Sequence, residues 1–226
     1  MRYLSFTYVD AVTGRPINEA AALNGPAMPA VAGLQFGFAL ESKYPTTVPL
    51  LYGSCPDDAD IDAPGVFQEL SESEYLSARE AEMALREIQQ RSRRIEENNR
   101  AYDSATLSLT ADYPQLEKDT WPTQNEQATA WVADPANAIT PWIDRAAAER
   151  GIDREDYLRR TLVKAEQFKV MSAFLTGRRQ RYEDQIKAGN DPALDYALTP
   201  ELLAELQVIT ETIMSTPAAG LQEALA

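Results

Sequence analysis

Leu70-Ser71-Glu72-Ser73-Glu74-Tyr75 carries the signals of a helix start. Ser71 offers the hydroxyl of a helix N-cap. Glu74, three residues on, can return a hydrogen bond to the Ser71 amide, which completes a capping box. Leu70 and Tyr75 stand where a hydrophobic staple would join the chain on either side of that cap. From Val66 to Tyr113 there is no proline and no glycine. The two strongest breakers of regular structure are therefore missing, and the spacing predicts one helix of up to about 40 residues.

Along that helix Ala81, Ile88, Ile95, Tyr102 and Leu109 recur every seven residues, and Leu85 widens the stripe at its start. A seven-residue repeat lays apolar side chains along one helix face. The companion positions Arg91 and Asn98 are polar, so the seam of a coiled coil is incomplete. Two arrangements satisfy the stripe. The helix packs on its own chain or a neighbour, or it forms an oligomeric coiled coil with polar layers, a trimer among the options. In the second, Leu85, Ile88, Ile95, Tyr102 and Leu109 are the oligomer interface.

Before the helix, residues 1–70 hold seven prolines and six glycines. They read as a small β-rich domain. Tyr3, Phe6, Tyr8 and Val9 form an aromatic and β-branched run that ends in a turn at Asp10-Ala11-Val12-Thr13-Gly14. Leu34, Phe36, Phe38 and Leu40 alternate with Gln35, Gly37 and Ala39, which predicts a strand with one apolar face. Val48 to Tyr52, closed by Gly53, is a third candidate strand. Strands this short must pair with one another or with a partner, because an isolated hairpin is marginal.

After the helix, residues 113–226 read as a helical bundle domain. Thr123 and Glu126 make a second capping box, opening a helix with Ala128 and Trp131 that ends at Asp134-Pro135. Thr140-Pro141 places an N-cap before a proline at the first helical position, and Gly151 stops that helix. Asp153 caps the next, along which Leu158, Leu162, Ala165, Phe168, Leu175, Tyr182 and Ile186 fall on one face until Gly189-Asn190. Thr199-Pro200 starts a last helix, and the small apolar tail after Pro217 is expected to fray. The fold class is α+β, mainly α: a β-rich domain at 1–70, a long helix at 71–112 and a helical domain at 113–226.

Composition narrows the chemistry. The 226 residues carry 21 basic and 35 acidic side chains, a net charge of −14, with no histidine and one cysteine, Cys55. An intrachain disulfide needs two cysteines, a Cys/His zinc site lacks ligands, and Ser-His-Asp or Cys-His catalysis lacks its base. Such acidity opposes nucleic-acid binding, which needs a basic face. An apolar fraction of 44% is enough for a buried core. No run approaches the roughly 20 apolar residues of a membrane helix, so no membrane insertion is expected. The first residues, with Arg2 and no continuous apolar run, are not expected to act as a signal peptide. A lone free cysteine fits a reducing cytoplasm or a particle assembled there.

The acidic run Asp57, Asp58, Asp60, Asp62 is the best candidate for an ion. Counted from Asp58, carboxylates occupy positions 1, 3 and 5, and Glu69 occupies position 12, the slots of a calcium loop. Against calcium, Ala63 stands where the loop's sharp turn wants glycine, and no helix precedes the run. The alternative is a solvated acidic loop. No catalytic residue emerges: the many carboxylates sit where helix starts and i,i+4 partners account for them. Arg91-Ser92-Arg93-Arg94, Arg159-Arg160 and Arg178-Arg179-Gln180-Arg181 read as solvated helix faces or as holders of a phosphate or a partner's carboxylate. Cys55 reads as a partly buried small residue. Trp121, Trp131 and Trp142 are core anchors or, alternatively, partner contacts.

The stretch Tyr113 to Asp184 resembles a helical region of small tail-associated proteins of tailed bacteriophages, tail-fibre assembly proteins among them. Trp121, Gln124, Glu126, Ala128 and Trp131 carry the likeness, with Thr140-Pro141, Arg150-Gly151, the Leu158 to Phe174 helix, and Gly177-Arg178-Arg179-Gln180 with Asp184. Tyr3 to Asp10, and Tyr52-Gly53 to Gly65-Val66, also look like tail-region proteins. The resemblance implies a non-enzymatic protein made in the host bacterial cytoplasm and located in the virion tail. Its implied partners are other tail proteins of the fibre or baseplate, and further copies of itself in a homo-oligomer. It equally admits a tail-fibre assembly chaperone that leaves before the virion matures. A third reading, from the abundance of carboxylates and from Tyr44 and Tyr52 as exposed aromatics, is a domain that binds or hydrolyses cell-envelope polysaccharide.

Overall fold

The computed structural model describes residues 1–17, 19, 25–40, 48–63 and 65–225. Tyr44 lies outside them. The chain separates into two compact units, Met1–Ser92 and Arg93–Ala226. Helix α1, Glu72–Thr110, runs through that boundary, whereas the sequence divides the chain at 70 and 112. The class is the expected one: mainly helical, with a small antiparallel sheet.

In the first unit, β1 (Arg2–Phe6), β2 (Val9–Asp10), β3 (Pro26–Ala27), β4 (Gln35–Leu40), β5 (Leu50–Cys55) and β6 (Phe67–Leu70) follow in order. Four of them form an antiparallel sheet in the order β4-β5-β1-β6, and β2 pairs separately with β3. The turn at Asp10 forms as expected, its carboxylate accepting from the Val12 and Thr13 amides and the Thr13 hydroxyl. One face of the sheet buries Leu4, Phe6, Leu51 and Cys55, with Ala39 and Phe67 against them. The other face is aromatic. Phe38 stacks on Tyr52 at 4.7 Å between ring centroids, and Tyr75 of α1 stacks on Tyr3 at 4.6 Å. Offset aromatic pairs of this kind add to plain area burial.

The sheet corrects two expectations. β4 does not present one apolar face: a bulge between Phe36 and Phe38 shifts the register, leaving Phe36 exposed and Phe38 buried. An extra residue breaks the period of two. Gly53 does not close a strand but sits inside β5, where a Cβ would collide with the Gln35 carbonyl. The capping box does form. The Ser71 amide donates to Glu74 at 2.8 Å and the Glu74 amide to the Ser71 hydroxyl at 3.2 Å.

In the second unit, the C-terminal part of α1 is followed by α2 (Gln115–Ala133), α3 (Pro141–Arg150), α4 (Arg154–Lys187), α5 (Pro200–Ser215) and α6 (Leu221–Ala224). Asp153 caps α4 by accepting from the Glu155 and Asp156 amides. The Thr199 hydroxyl caps α5 by accepting from Leu202. Gly151 ends α3 at φ 70°, a left-handed value that glycine adopts without penalty. Along one part of α4, Leu158 and Leu162 pack with Ala128, Trp131, Ile143, Ile213 and Leu221. Further along, Leu175 and Tyr182 pack with Tyr196, Ala101, Tyr102, Ala105 and Leu109. Residues 218–224, expected to fray, are instead helical, and Leu221 is fully buried in the first of these cores. Arg159 pins the end of α5, donating to the Ile213 and Thr216 carbonyls, and so acts as a C-terminal cap.

Two further expectations change. α2 begins at Gln115, behind Pro114, and Pro122 lies inside it, so Thr123 and Glu126 are helix-interior residues and not a capping box. A proline reads as a boundary in sequence because it removes a helix hydrogen bond, yet this helix continues through it. The seven-residue stripe is also not one seam. Tyr102 and Leu109 are spent on the chain's own core, Ile95 is half-buried, and Ile88 is exposed.

Asn98, the polar residue that interrupts the stripe, is fully buried. Its Nδ2 donates to the Arg179 carbonyl on α4 at 3.0 Å, and its Oδ1 accepts from the Tyr196 hydroxyl at 2.6 Å. Four residues earlier, Arg94 donates to the Pro192 carbonyl and pairs with Asp191 at 2.6 Å. One face of α1 thereby fastens the irregular segment 190–199 between α4 and α5. Asn98→Ala removes both hydrogen bonds and strands the buried Tyr196 hydroxyl, and is expected to cost about 1–3 kcal/mol in urea unfolding; a change below about 0.5 kcal/mol contradicts this role. Burial, aided by the neighbouring Tyr182, pushes the Tyr196 hydroxyl up to about 12. The unfolded phenol ionises near pH 10, so the stability from Tyr196 is complete below that and is lost as pH rises towards 12. The melting temperature is expected to fall less steeply over that window in Tyr196→Phe than in the parent; identical slopes refute the assignment.

Candidate functional site

The described residues do not bring the candidate calcium ligands together. Among the described residues no group of three or more His, Cys, Asp or Glu side chains could hold a metal ion. Glu69 is in β6, where both carboxylate oxygens accept from Arg2 of β1 at 3.0 Å. The cross-strand register, Leu4 opposite Glu69 with Arg2 a step away, takes position 12 of the motif into the sheet. Asp58, Asp60 and Asp62 are exposed, and the Asp60 carboxylate accepts from the Asp62 amide.

Carboxylates with displaced acidity are all accounted for by internal partners. Glu69 is held below the usual range by Arg2, Glu74 by Ser71, Asp10 by the Thr13 amide, and Glu183 by Lys187. At Asp144 burial pushes upward, but hydrogen bonds from Thr140 and Arg154 outweigh it and leave the carboxyl low. A general acid needs the opposite displacement. Most of the arginines in the basic runs have internal partners, Arg94 in Asp191, Arg159 in Glu155 and Arg160 in Asp156, whereas Arg91 and Arg93 are exposed. Arg154 joins Asp144 at 2.6 Å to the Ala138 carbonyl, and Arg178 donates to the Asp195 and Ala197 carbonyls. Arg179 bridges Glu183 and Asn99.

A groove of about 420 Å³ lies between the start of α2 and the middle of α4. This volume lies within the roughly 300–1,000 Å³ of small-ligand pockets. Trp121 forms its floor, edge-on to Tyr113 at 5.3 Å and to Phe168 at 5.9 Å. Leu109, Pro122, Ala165 and Met171 complete apolar walls. Lys164 lies 4.8 Å from the Tyr113 ring centroid, a cation–π distance. Lys118 and Lys169 also line the groove, Lys169 pairing with Glu166 at 2.6 Å. Three of the chain's five lysines therefore meet here, on a protein of net charge −14. Asn125 lines the groove too, and its buried Oδ1 has no hydrogen-bond partner.

The tryptophans divide between the expected roles. Trp131 is 2% exposed and is core. Trp142 packs against that core and against Tyr157 at 6.2 Å. Trp121 alone lies in the groove. Tyr52 is not an exposed aromatic, being buried under Phe38. Leu85 is half-buried and residues 86–93 of α1 are exposed, so within the stripe Ala81 and Ile88 are the exposed members. Sequence reasoning missed the groove because Tyr113, Lys118 and Lys164 come from separate elements. The available signal was Trp121-Pro122, a bulky aromatic beside a proline within a helix.

A family model described as the HI1402 helical domain matches residues 163–208, from within α4 through the first half of α5. No curated protein and no solved structure matches the chain. The match covers the segment that Asn98 and Arg94 fasten, and one flank of the groove.

Pro122 cannot donate a helix bond to the Lys118 carbonyl, a defect that costs stability wherever it serves no purpose in the fold. Pro122→Ala restores the donor and is expected to raise unfolding stability by about 1–2 kcal/mol, after allowing for the freer unfolded chain. A lower stability by urea titration refutes the view that Pro122 is kept at the expense of α2.

Proposed function

We propose that this chain is a non-enzymatic protein of bacteriophage tails that works by protein contact, joining components of the tail-fibre or baseplate region. One observation carries the reading: the stretch that resembles tail-associated proteins, Tyr113 to Asp184, supplies most of the groove, including Trp121, Lys164 and Phe168. Two compact units sharing one long helix suit a protein that holds more than one neighbour. Carboxylates drawn into caps and ion pairs support contact over turnover. Ile88, 56% exposed, is the point of the stripe through which copies of the chain would associate.

Mass spectrometry of purified virions is expected to find the chain at a copy number that fits the tail symmetry. Its absence from mature particles, together with a requirement for it in tail assembly, would replace this reading with that of an assembly chaperone. Absence without any such requirement overturns both.

A further inference from the structure

We infer that the α2–α4 groove is a recognition site for an acidic peptide segment that carries one bulky apolar side chain between its carboxylates, presented by a partner protein. The inference deepens, and rests on, the reading of the chain as a contact protein. Three features of the groove require three different groups. Its apolar floor and walls, Trp121, Phe168 and Pro122 among them, gain from covering, and Phe168 is 43% exposed without an occupant. Lys118, Lys164 and Lys169 outnumber Glu117 among the lining residues, and among the described residues no carboxylate is within ion-pair distance of the Lys118 or Lys164 ammonium. The third feature is a lack of donors: the buried Asn125 Oδ1 has no partner, and Pro122 cannot serve the Lys118 carbonyl.

A peptide meets all three needs at once. Its side chain fills the apolar cleft, its carboxylates meet the lysines, and a backbone amide can donate to the Lys118 carbonyl that Pro122 leaves without its helix donor. A carboxylated sugar would satisfy the lysines and stack on Trp121. It would also place many hydroxyls against Leu109, Ala165 and Met171, where they find no partners. On a chain of net charge −14, a groove lined by more lysines than carboxylates favours an acidic segment, and its apolar walls add a selectivity that charge alone does not give.

The test uses the intact chain and an acetylated, amidated pentapeptide with leucine flanked on each side by two aspartates. Amide and indole NMR spectra follow the titration. Shifts are expected to centre on the Trp121 indole and on residues 113–125 and 161–171. Replacing the probe's leucine by serine, or its aspartates by lysines, is expected to weaken binding by about tenfold or more, as are Lys164→Glu and Phe168→Ala. Both of these protein residues are exposed, so the variants keep the fold, which their unchanged spectra elsewhere verify. No binding at millimolar peptide, undiminished binding by Lys164→Glu, or tighter binding of an oligouronate than of the peptide each overturns the inference. The two readings fail separately. A chain found in virions whose groove ignores the peptide overturns only the groove, and a chain absent from virions whose groove binds it overturns only the tail assignment.

Discussion

The structure of the helical unit turns on one buried amide. Asn98 is fully enclosed, with one end bonded to the Arg179 carbonyl of α4 and the other to the Tyr196 hydroxyl. A buried polar side chain is costly unless its hydrogen bonds are made. The bonds are made only when α1, α4 and the segment before α5 stand in one register. Leucine in its place could slide along the neighbouring helix; asparagine cannot. Arg94, four residues earlier, repeats the constraint on the same segment through Pro192 and Asp191.

Much of the remainder follows from that register. With Tyr102 and Leu109 drawn onto α4, the apolar stripe of α1 is consumed inside the chain over its second half. Residues 86–93, all exposed, hold mainly polar and charged side chains, and the Glu82–Arg86 pair gives i,i+4 support at their start. The placement of α4 also sets Lys164 and Phe168 opposite the start of α2. The groove is thus a by-product of packing that the sequence then furnished with lysines and aromatics.

How far the sequence reveals this depends on the range of the interaction. Helix ends at Ser71, Gly151, Asp153 and Thr199 were legible because capping is decided within a few residues. The length of α1 was legible from the missing breakers. The bulge in β4 was not, since Phe36 and Phe38 alternate correctly and only the pairing with β5 reveals the extra residue. Asn98 was read as an interruption of a seam, because sequence alone does not say that a polar residue has buried partners 81 and 98 positions away. The groove depends on three separated segments, and the carboxylates that looked like a calcium set were parted by strand register that joins Arg2 to Glu69. Local chemistry was readable; long-range pairing needed the fold.

Backbone amide exchange along α1 shows whether Asn98 and Arg94 lock the second half of the helix into its own chain. If the second half of the helix is locked by its own chain, amides of residues 94–109 exchange only through unfolding of the helical unit, even at dilutions where the protein is monomeric. Amides of residues 86–93, exposed on all sides, exchange markedly faster in the same sample. Equal, rapid exchange across residues 86–109 in the monomer, with protection appearing only on self-association, would contradict the account.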